Sequence, residues 1–243
     1  MHKSAQETEF YDVVEARRSV RIFDQEAAFD HDIVEKAIQA AILSPNSSNL
    51  QLYQFVRIPE SSPNKDKLAE LCMRQKAATT ARELVIVLTR RDLWKSRANA
   101  NYEFILNSRQ NQSEKKVKQI GSYYKKLIPK LFGKFPGWTL VKTAIAWWVG
   151  LRRPMVREVS ETDVRISVHK SAALASMTFM LAMKASGYDT CPMEGFDSKR
   201  VKKLLDLPTA SEICMIIGCG NGKPEGIYGP RFRVPFEELV VEK

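Results

Sequence analysis

Two short basic strings stand at opposite ends of this chain, Arg17-Arg18-Ser19-Val20-Arg21 and Arg231-Phe232-Arg233. Alternate side chains of an extended segment share a face, so Arg17, Ser19 and Arg21 point one way and Arg231 pairs with Arg233. Planar guanidinium forks match phosphate oxygens two at a time. Brought together by folding, the strings read as two halves of a cofactor phosphate site. Either string alone is ordinary for a solvated surface. The combination with further motifs turns the reading toward a site.

Ser44-Pro45-Asn46-Ser47-Ser48-Asn49-Leu50-Gln51 follows a helical pattern and precedes a strand, and it gathers hydroxyl, amide and backbone donors at one spot. A plain turn explains Pro, Asn and Ser there; Gln51 at the strand edge is harder to explain that way. In Pro192-Met193-Glu194-Gly195-Phe196-Asp197, Gly195 lets a flat ligand approach the backbone, with its amide able to donate to a ring nitrogen. A helix start capped by Asp197 accounts for the same residues. Gly218-Cys219-Gly220-Asn221-Gly222 has the outline of a dinucleotide loop, but Lys223-Pro224-Glu225-Gly226 follows where a helix is required, so that reading is rejected.

These motifs need elements to hold them. Phe10, Val13 and Val14 form a helical stripe before the first string, and residues 19–23 alternate as an extended segment. Asp30 can cap a helix in which Ile33, Val34, Ala37, Ile38 and Ala41 keep helical spacing. Residues 53–58 and 84–89 read as strands, with helix over 63–81 between them. A long helix over 165–187, lined by Ser171, Ala172, Ala173, Ala175 and Ser176, is expected at the centre, small enough on one side for a second helix to come close. Asp197 caps a helix reaching Leu205, and 213–218 is a third strand. Few strands among many helices predict a sheet covered on both faces.

Residues 91–164 read as a helical insert or lid on a single domain spanning 1–243. Glu114 to Lys134 holds seven lysines and one acid, interleaved with Tyr123, Tyr124 and Phe132. Beyond it Leu140, Thr143, Ala144, Trp147, Trp148 and Leu151 share a helical face, with Val141, Ile145 and Val149 at its sides. A helix apolar nearly all round is expected to be buried. Contact of residues 114–154 with an anionic membrane surface is the competing, less favoured reading.

With 243 residues, 44% hydrophobic and 27% charged, the chain can bury a large core. The net charge of +10 points to anionic ligands, nucleic acid or lipid; without a recognised nucleic-acid fold, no nucleic-acid partner is expected. Cys72, Cys191, Cys214 and Cys219 form no CxxC pair and read as buried, inert thiols. Three histidines give no metal-ligand spacing. The run from Met1 to Glu7 lacks the apolar stretch of a secretory signal, and a cytoplasmic protein is expected. The most apolar run, 139–151, is too short to span a bilayer.

Taken in order, these motifs resemble the FMN-dependent nitroreductase family. Arg17 to Arg21 is similar to its N-terminal phosphate string. Residues 44–51 are similar to its Pro-Ser-Ser-x-Asn-x-Gln loop, with Asn46 where Ser is usual and Leu52-Tyr53 in place of Pro-Trp. Residues 192–197 resemble the segment beneath the flavin ring, and Arg231-Phe232-Arg233 its C-terminal basic pair. The resemblance implies an α+β fold in three layers, α/β/α, with a mixed, mostly antiparallel sheet flanked by helices and a long central interface helix. It implies a homodimer with FMN at the subunit seam. Arg17, Arg18, Ser19, Arg21, Arg231 and Arg233 would hold the phosphate and ribityl chain. Pro45, Asn46, Ser47 and Asn49, with Gln51 on the same loop, would come from the partner subunit. Gln75 would lie against the pyrimidine, and Glu194 and Gly195 beside the ring. The activity implied is transfer of hydride from NADPH or NADH through flavin N5 to an electron-poor small molecule, with no catalytic side chain required. Dehalogenation, dehydrogenation, or flavin holding without turnover are the alternatives.

Overall fold

The computed structural model describes residues 5–108 and 113–243. Residues 1–4 of the N-terminal run and 109–112 of the expected insert lie outside the described residues. The helices are α1 (Ala5–Ala16), α2 (His31–Ala41), α3 (Lys65–Leu71), α4 (Lys76–Thr79), α5 (Trp94–Asn107), α6 (Glu114–Ser122), α7 (Ile128–Phe132), α8 (Trp138–Gly150), α9 (Glu161–Ala185), α10 (Ser198–Leu204) and α11 (Phe236–Leu239). The strands are β1 (Phe23–Asp24), β2 (Tyr53–Pro59), β3 (Glu83–Thr89), β4 (Asp189–Met193) and β5 (Glu212–Gly222).

Alternation along β3 organises the layers. Every one of its residues is buried. Leu84, Ile86 and Leu88 pack with Leu68, Cys72, Ala77, Ala78 and Val201 from α3, α4 and α10 on one face. Val85 and Val87 pack with Val34 and Ala37 of α2 and Ala172, Ala175, Phe179 and Met183 of α9 on the other. A strand apolar at every position must be covered twice, and the three-layer α/β/α expectation holds. β3 runs antiparallel to both β2 and β5. β5 also pairs antiparallel with β4 along residues 216–220, on the edge opposite β3, and with β1 at Asn221 and Gly222. Among the described residues the single parallel pairing is the isolated bridge from Ser19 to Thr190, which makes the sheet mixed and mostly antiparallel.

Local chemistry fixes the helix starts. The Asp30 side chain accepts from the Asp32 amide, and Asp197 accepts from Arg200, as expected of both caps. At α9, Ser160 and Asp163 bond reciprocally in a capping box, so the helix begins one turn earlier than its apolar spacing predicts. The helix expected over 63–81 is broken. Met73 and Arg74 adopt φ of 58° and 51°, in the left-handed region, and the chain restarts as α4 after Gln75. The glycine run after residue 217 is the end of β5. A Cβ at Gly218 would lie 2.2 Å from the Ala77 carbonyl oxygen, so packing requires the glycine there.

The insert corrects one expectation outright. α5, α6 and α7 pack with Leu50, Leu52, Val164 and Val168 in a third apolar cluster. α8 is not buried. Leu140, Val141, Ile145, Trp147, Trp148 and Leu151 are exposed, and the residues α8 turns inward and buries are Lys142 and Ala146. Lys142 Nζ donates to the Leu131 carbonyl at 3.2 Å and to Glu161 Oε1 at 3.3 Å, and Arg91 reaches the other oxygen of Glu161 at 2.8 Å. A polar anchor beneath α8 thus decides its orientation against its apolar face.

Burial alone would raise the Glu161 pKa, but the hydrogen bonds and charges of Arg91 and Lys142 hold it below its ordinary value. The anchor is therefore complete above the ordinary carboxylate range and is lost as pH falls through that lowered value. Glu161→Gln is expected to expose the 130–142 region to trypsin several-fold faster at pH 7, as the wild type does only in acid. Equal cleavage rates for variant and wild type at pH 7 would remove Glu161 from this role.

Candidate functional site

α1 ends at the first basic string, where the Arg17 amide bonds the Val13 carbonyl at 3.0 Å. The chain then extends along β4. The Val20 amide donates to Thr190 and the Arg21 amide to Gly226. Val20 is turned into the core, which leaves Ser19 and Arg21 on the outer side. The C-terminal segment returns to this place. Arg231 Nη2 donates to the carbonyls of Glu15 at 2.8 Å and Arg17 at 2.7 Å, and Arg18 Nη2 donates to Gly229 at 2.7 Å. Strings more than two hundred residues apart in sequence therefore interlock.

Their charges are not cancelled. The Arg17 guanidinium is pushed below its ordinary pKa by burial and then by the positive charges of Arg231, Arg233 and Arg18. The arginines that form ion pairs among the described residues are Arg57, Arg74, Arg82, Arg90, Arg91, Arg165 and Arg200. Among the described residues the terminal set has no such carboxylate. Arg233 donates to the adjacent Phe232 carbonyl, and Arg21 lies over the Tyr228 ring at 5.0 Å. Arg17 and Arg18 are half-buried while Arg21, Arg231 and Arg233 are exposed, and like charges gathered around a half-buried guanidinium make a place where an anion is favoured.

A second group forms at the end of β4. The left-handed step at Met73 and Arg74 aims Gln75 so that its Nε2 donates to the Gly195 carbonyl at 2.8 Å and the Cys72 carbonyl at 3.0 Å. A Cβ at Gly195 would come within 3.2 Å of that nitrogen, so a small residue suits the contact. Glu194 lines a cleft of about 460 Å³ with Arg165, His169, Lys170 and Cys214. Arg165 Nε and His169 Nε2 both reach Glu212 Oε2, at 2.6 and 3.0 Å. Burial would raise the Glu212 pKa, and those two hydrogen bonds hold it below its ordinary value. Sequence reasoning missed Arg165, His169 and Lys170; the spacing of the first two, one turn apart on α9, was the available signal.

The 44–51 loop lies elsewhere. Leu50 is fully buried and anchors it, while Pro45, Ser47 and Asn49 are exposed. Ser48, Asn49 and Gln51 adopt φ near 50° to 57°, and Asn46 Oδ1 accepts from the Gln51 amide at 2.7 Å. The loop is tied to its own chain's α9 through Ser47 and Ser171, and to the insert through Asn49 with Asn101 and Ser48 with Tyr123. Its hydrogen bonds go to these residues and not to the terminal arginines. Asn101 and Tyr123 could not be found from sequence, because nothing local marks a contact between an insert and a distant loop.

All four cysteines are free. Burial pushes Cys72 and Cys214 up to about 11 and raises Cys191 and Cys219 as well, which keeps the thiols protonated and unreactive at neutral pH.

Fold and site together define an α+β protein whose sheet edge carries an uncompensated cationic cradle, with an amide and a close glycine at the end of β4. The chain belongs to the nitroreductase family, an oxidoreductase family whose sequence model matches residues 14–221. It is 25% identical over 232 residues to MhqN of Bacillus subtilis (strain 168), covering 96% of this chain and 98% of that protein; MhqN is named provisionally as an NAD(P)H nitroreductase. The fold matches the Bacillus subtilis protein ydfN with a TM-score of 0.75 at 22% identity, over 98% of this chain and all of that one. It also matches a protein of Exiguobacterium sibiricum 255-15, solved in complex with FMN, with a TM-score of 0.71 at 21% identity, over 96% and 97% of the two chains.

Proposed function

We propose that this protein is a homodimeric, FMN-dependent oxidoreductase that uses NADPH or NADH to reduce electron-poor small molecules such as nitroaromatics, quinones or activated alkenes. The observation that carries this reading is the cluster of Arg17, Arg18, Arg231 and Arg233, built from both ends of the chain and without an ion-pair partner among the described residues. Its donor set fits a phosphate monoester: several guanidinium forks, the Ser19 hydroxyl beside them, and, among the described residues, no carboxylate ion-paired to them. FMN, when bound, supplies the hydride relay at N5 between nicotinamide and acceptor.

The chain's own residues bind and orient. Arg17, Arg18, Ser19, Arg21, Arg231 and Arg233 hold the phosphate and ribityl end. Gln75 offers an amide to the pyrimidine edge, and the Gly195 backbone lets the ring lie close, with Glu194 beside it. Pro45, Asn46, Ser47, Asn49 and Gln51 serve the site of the other subunit. Two features support that exchange. The loop is bonded away from its own arginines, and apolar side chains stand exposed on α9 (Leu174, Met177) and along the C-terminal segment (Phe232, Phe236, Leu239, Val241). Surface of this kind is characteristic of an interface.

The purified protein is expected to be yellow, to release FMN on acid treatment, and to have twice the 27.7 kDa mass of one chain. Its visible band should bleach with NADPH or NADH under nitrogen and return on adding a quinone. A colourless protein that takes up no FMN would overturn the cofactor assignment. A flavin that bleaches only with dithionite would favour a holding role without turnover.

A further inference from the structure

α8 is inverted relative to an ordinary surface helix. Its outward arc carries Leu140, Val141, Thr143, Ala144, Ile145, Trp147, Trp148 and Leu151, without a charge, and its inward side holds Lys142. Turning α8 to bury the tryptophans would break the contacts of Lys142 with Leu131 and Glu161. The apolar arc is therefore held outward. Trp147 and Trp148 are 60% and 57% exposed and Leu140 is 76% exposed, which is costly in water unless something covers them.

Charge says what covers them. Residues 114–157 contain eleven Lys or Arg and one acid, Glu114, a balance of +10 that equals the net charge of the whole chain. The remainder of the protein is neutral on balance, so the chain's net excess of positive charge lies in the segment that bears the apolar arc. Arg152 packs its guanidinium over Trp148 at 4.4 Å, with Arg153 beside it, and the Lys130 carbonyl accepts from Trp138 at the other end of α8. Tryptophan at a water boundary, aliphatic side chains beside it and a basic rim form the pattern of a helix lying in a membrane interface. Thirteen residues reach only about 20 Å, too short to cross a bilayer, so the helix lies in the interfacial plane. A second copy docked through α8 would set the same basic segment against itself.

We propose that α8 and its basic flanks dock the protein on the surface of an anionic phospholipid bilayer. The inference is independent of the cofactor reading, since it needs neither flavin nor turnover.

The test is co-sedimentation of the full-length protein with vesicles of phosphatidylcholine alone or mixed with phosphatidylglycerol, at low and high salt. Sedimentation with the mixed vesicles, falling with salt and weak with phosphatidylcholine alone, is expected. Trp147→Ser with Trp148→Ser, and separately Arg152→Gln with Arg153→Gln, should each weaken binding by about tenfold or more, with circular dichroism unchanged. Brominated lipid should quench wild-type tryptophan emission and lose most of that effect in the tryptophan variant. Absence of wild-type binding to the mixed vesicles overturns the proposal, as does binding that both variants retain. A native mass that falls when the two tryptophans are replaced overturns it in favour of a second copy on α8.

Discussion

Arg17→Ala is expected to loosen FMN by about 10- to 100-fold and, in the same protein, to stabilise the flavin-free form. The two effects share one cause. Arg17 is partly buried among Arg18, Arg231 and Arg233 and is depressed by that burial and those charges. With an anion present, it makes a charge-assisted hydrogen bond of about 1.5–3 kcal/mol. Without one, it contributes repulsion, and its removal relaxes the other three. Equilibrium dialysis against FMN and thermal unfolding of the apoprotein check the two halves separately. Arg233→Ala should shift affinity in the same direction, while Arg231→Ala should also free the C-terminal segment, since Arg231 fastens it to the carbonyls of Glu15 and Arg17. If the Arg17 and Arg233 variants both keep their flavin through dialysis, the phosphate does not sit in this cluster.

Arg57→Ala is expected to cost about 3–5 kcal/mol of stability. Glu83 at the start of β3 has no exposed surface, and Arg57 reaches it from β2 through two bonds, Nε to Oε1 at 2.6 Å and Nη2 to Oε2 at 3.2 Å. The same guanidinium donates to the His31 carbonyl at 2.7 Å, tying the start of α2 to the sheet. The hydrogen bond that Arg57 donates to Glu83 is the chief reason the Arg57 pKa is raised, against the opposing effect of burial. Removing Arg57 leaves a carboxylate in the core with His31, at 2.6 Å, as its remaining side-chain partner among the described residues. Urea unfolding should show a lower midpoint with an unchanged slope. A loss under about 1 kcal/mol would show that His31 compensates for the missing guanidinium, far from the usual cost of an unpaired buried charge. Nothing about Arg57 or Glu83 stands out in the sequence, because their pairing depends on the register of β2 against β3.

Much of the architecture was legible because it rests on local rules. β3 reads as a strand from its apolar run, the few strands among many helices call for a sheet covered on both faces, and α2 and α10 begin where Asp30 and Asp197 can cap them. The small-residue helix lies at the centre, with Ala172, Ala175 and Ser176 fully buried against α2 and the sheet. The failures occurred where long-range contacts overrode local preference. The 63–81 helix breaks at Met73 and Arg74, in a turn that presents Gln75 to Gly195. Apolar periodicity predicted a buried α8, and a single lysine reversed it. Burying the Lys142 head group required partners, and Leu131 and Glu161 supply them on the side of the core.

Residue chemistry alone specified the family's motifs, the apolar strand and the basic strings suited to a phosphate, since each depends on side chains close together in the chain. Folding decided that Arg231 and Arg233 meet Arg17, that Gln75 meets Gly195, and that the tryptophans of α8 face outward. Those outcomes depend on which distant partners satisfy a buried charge or carbonyl, and spacing along the chain carries no record of that choice.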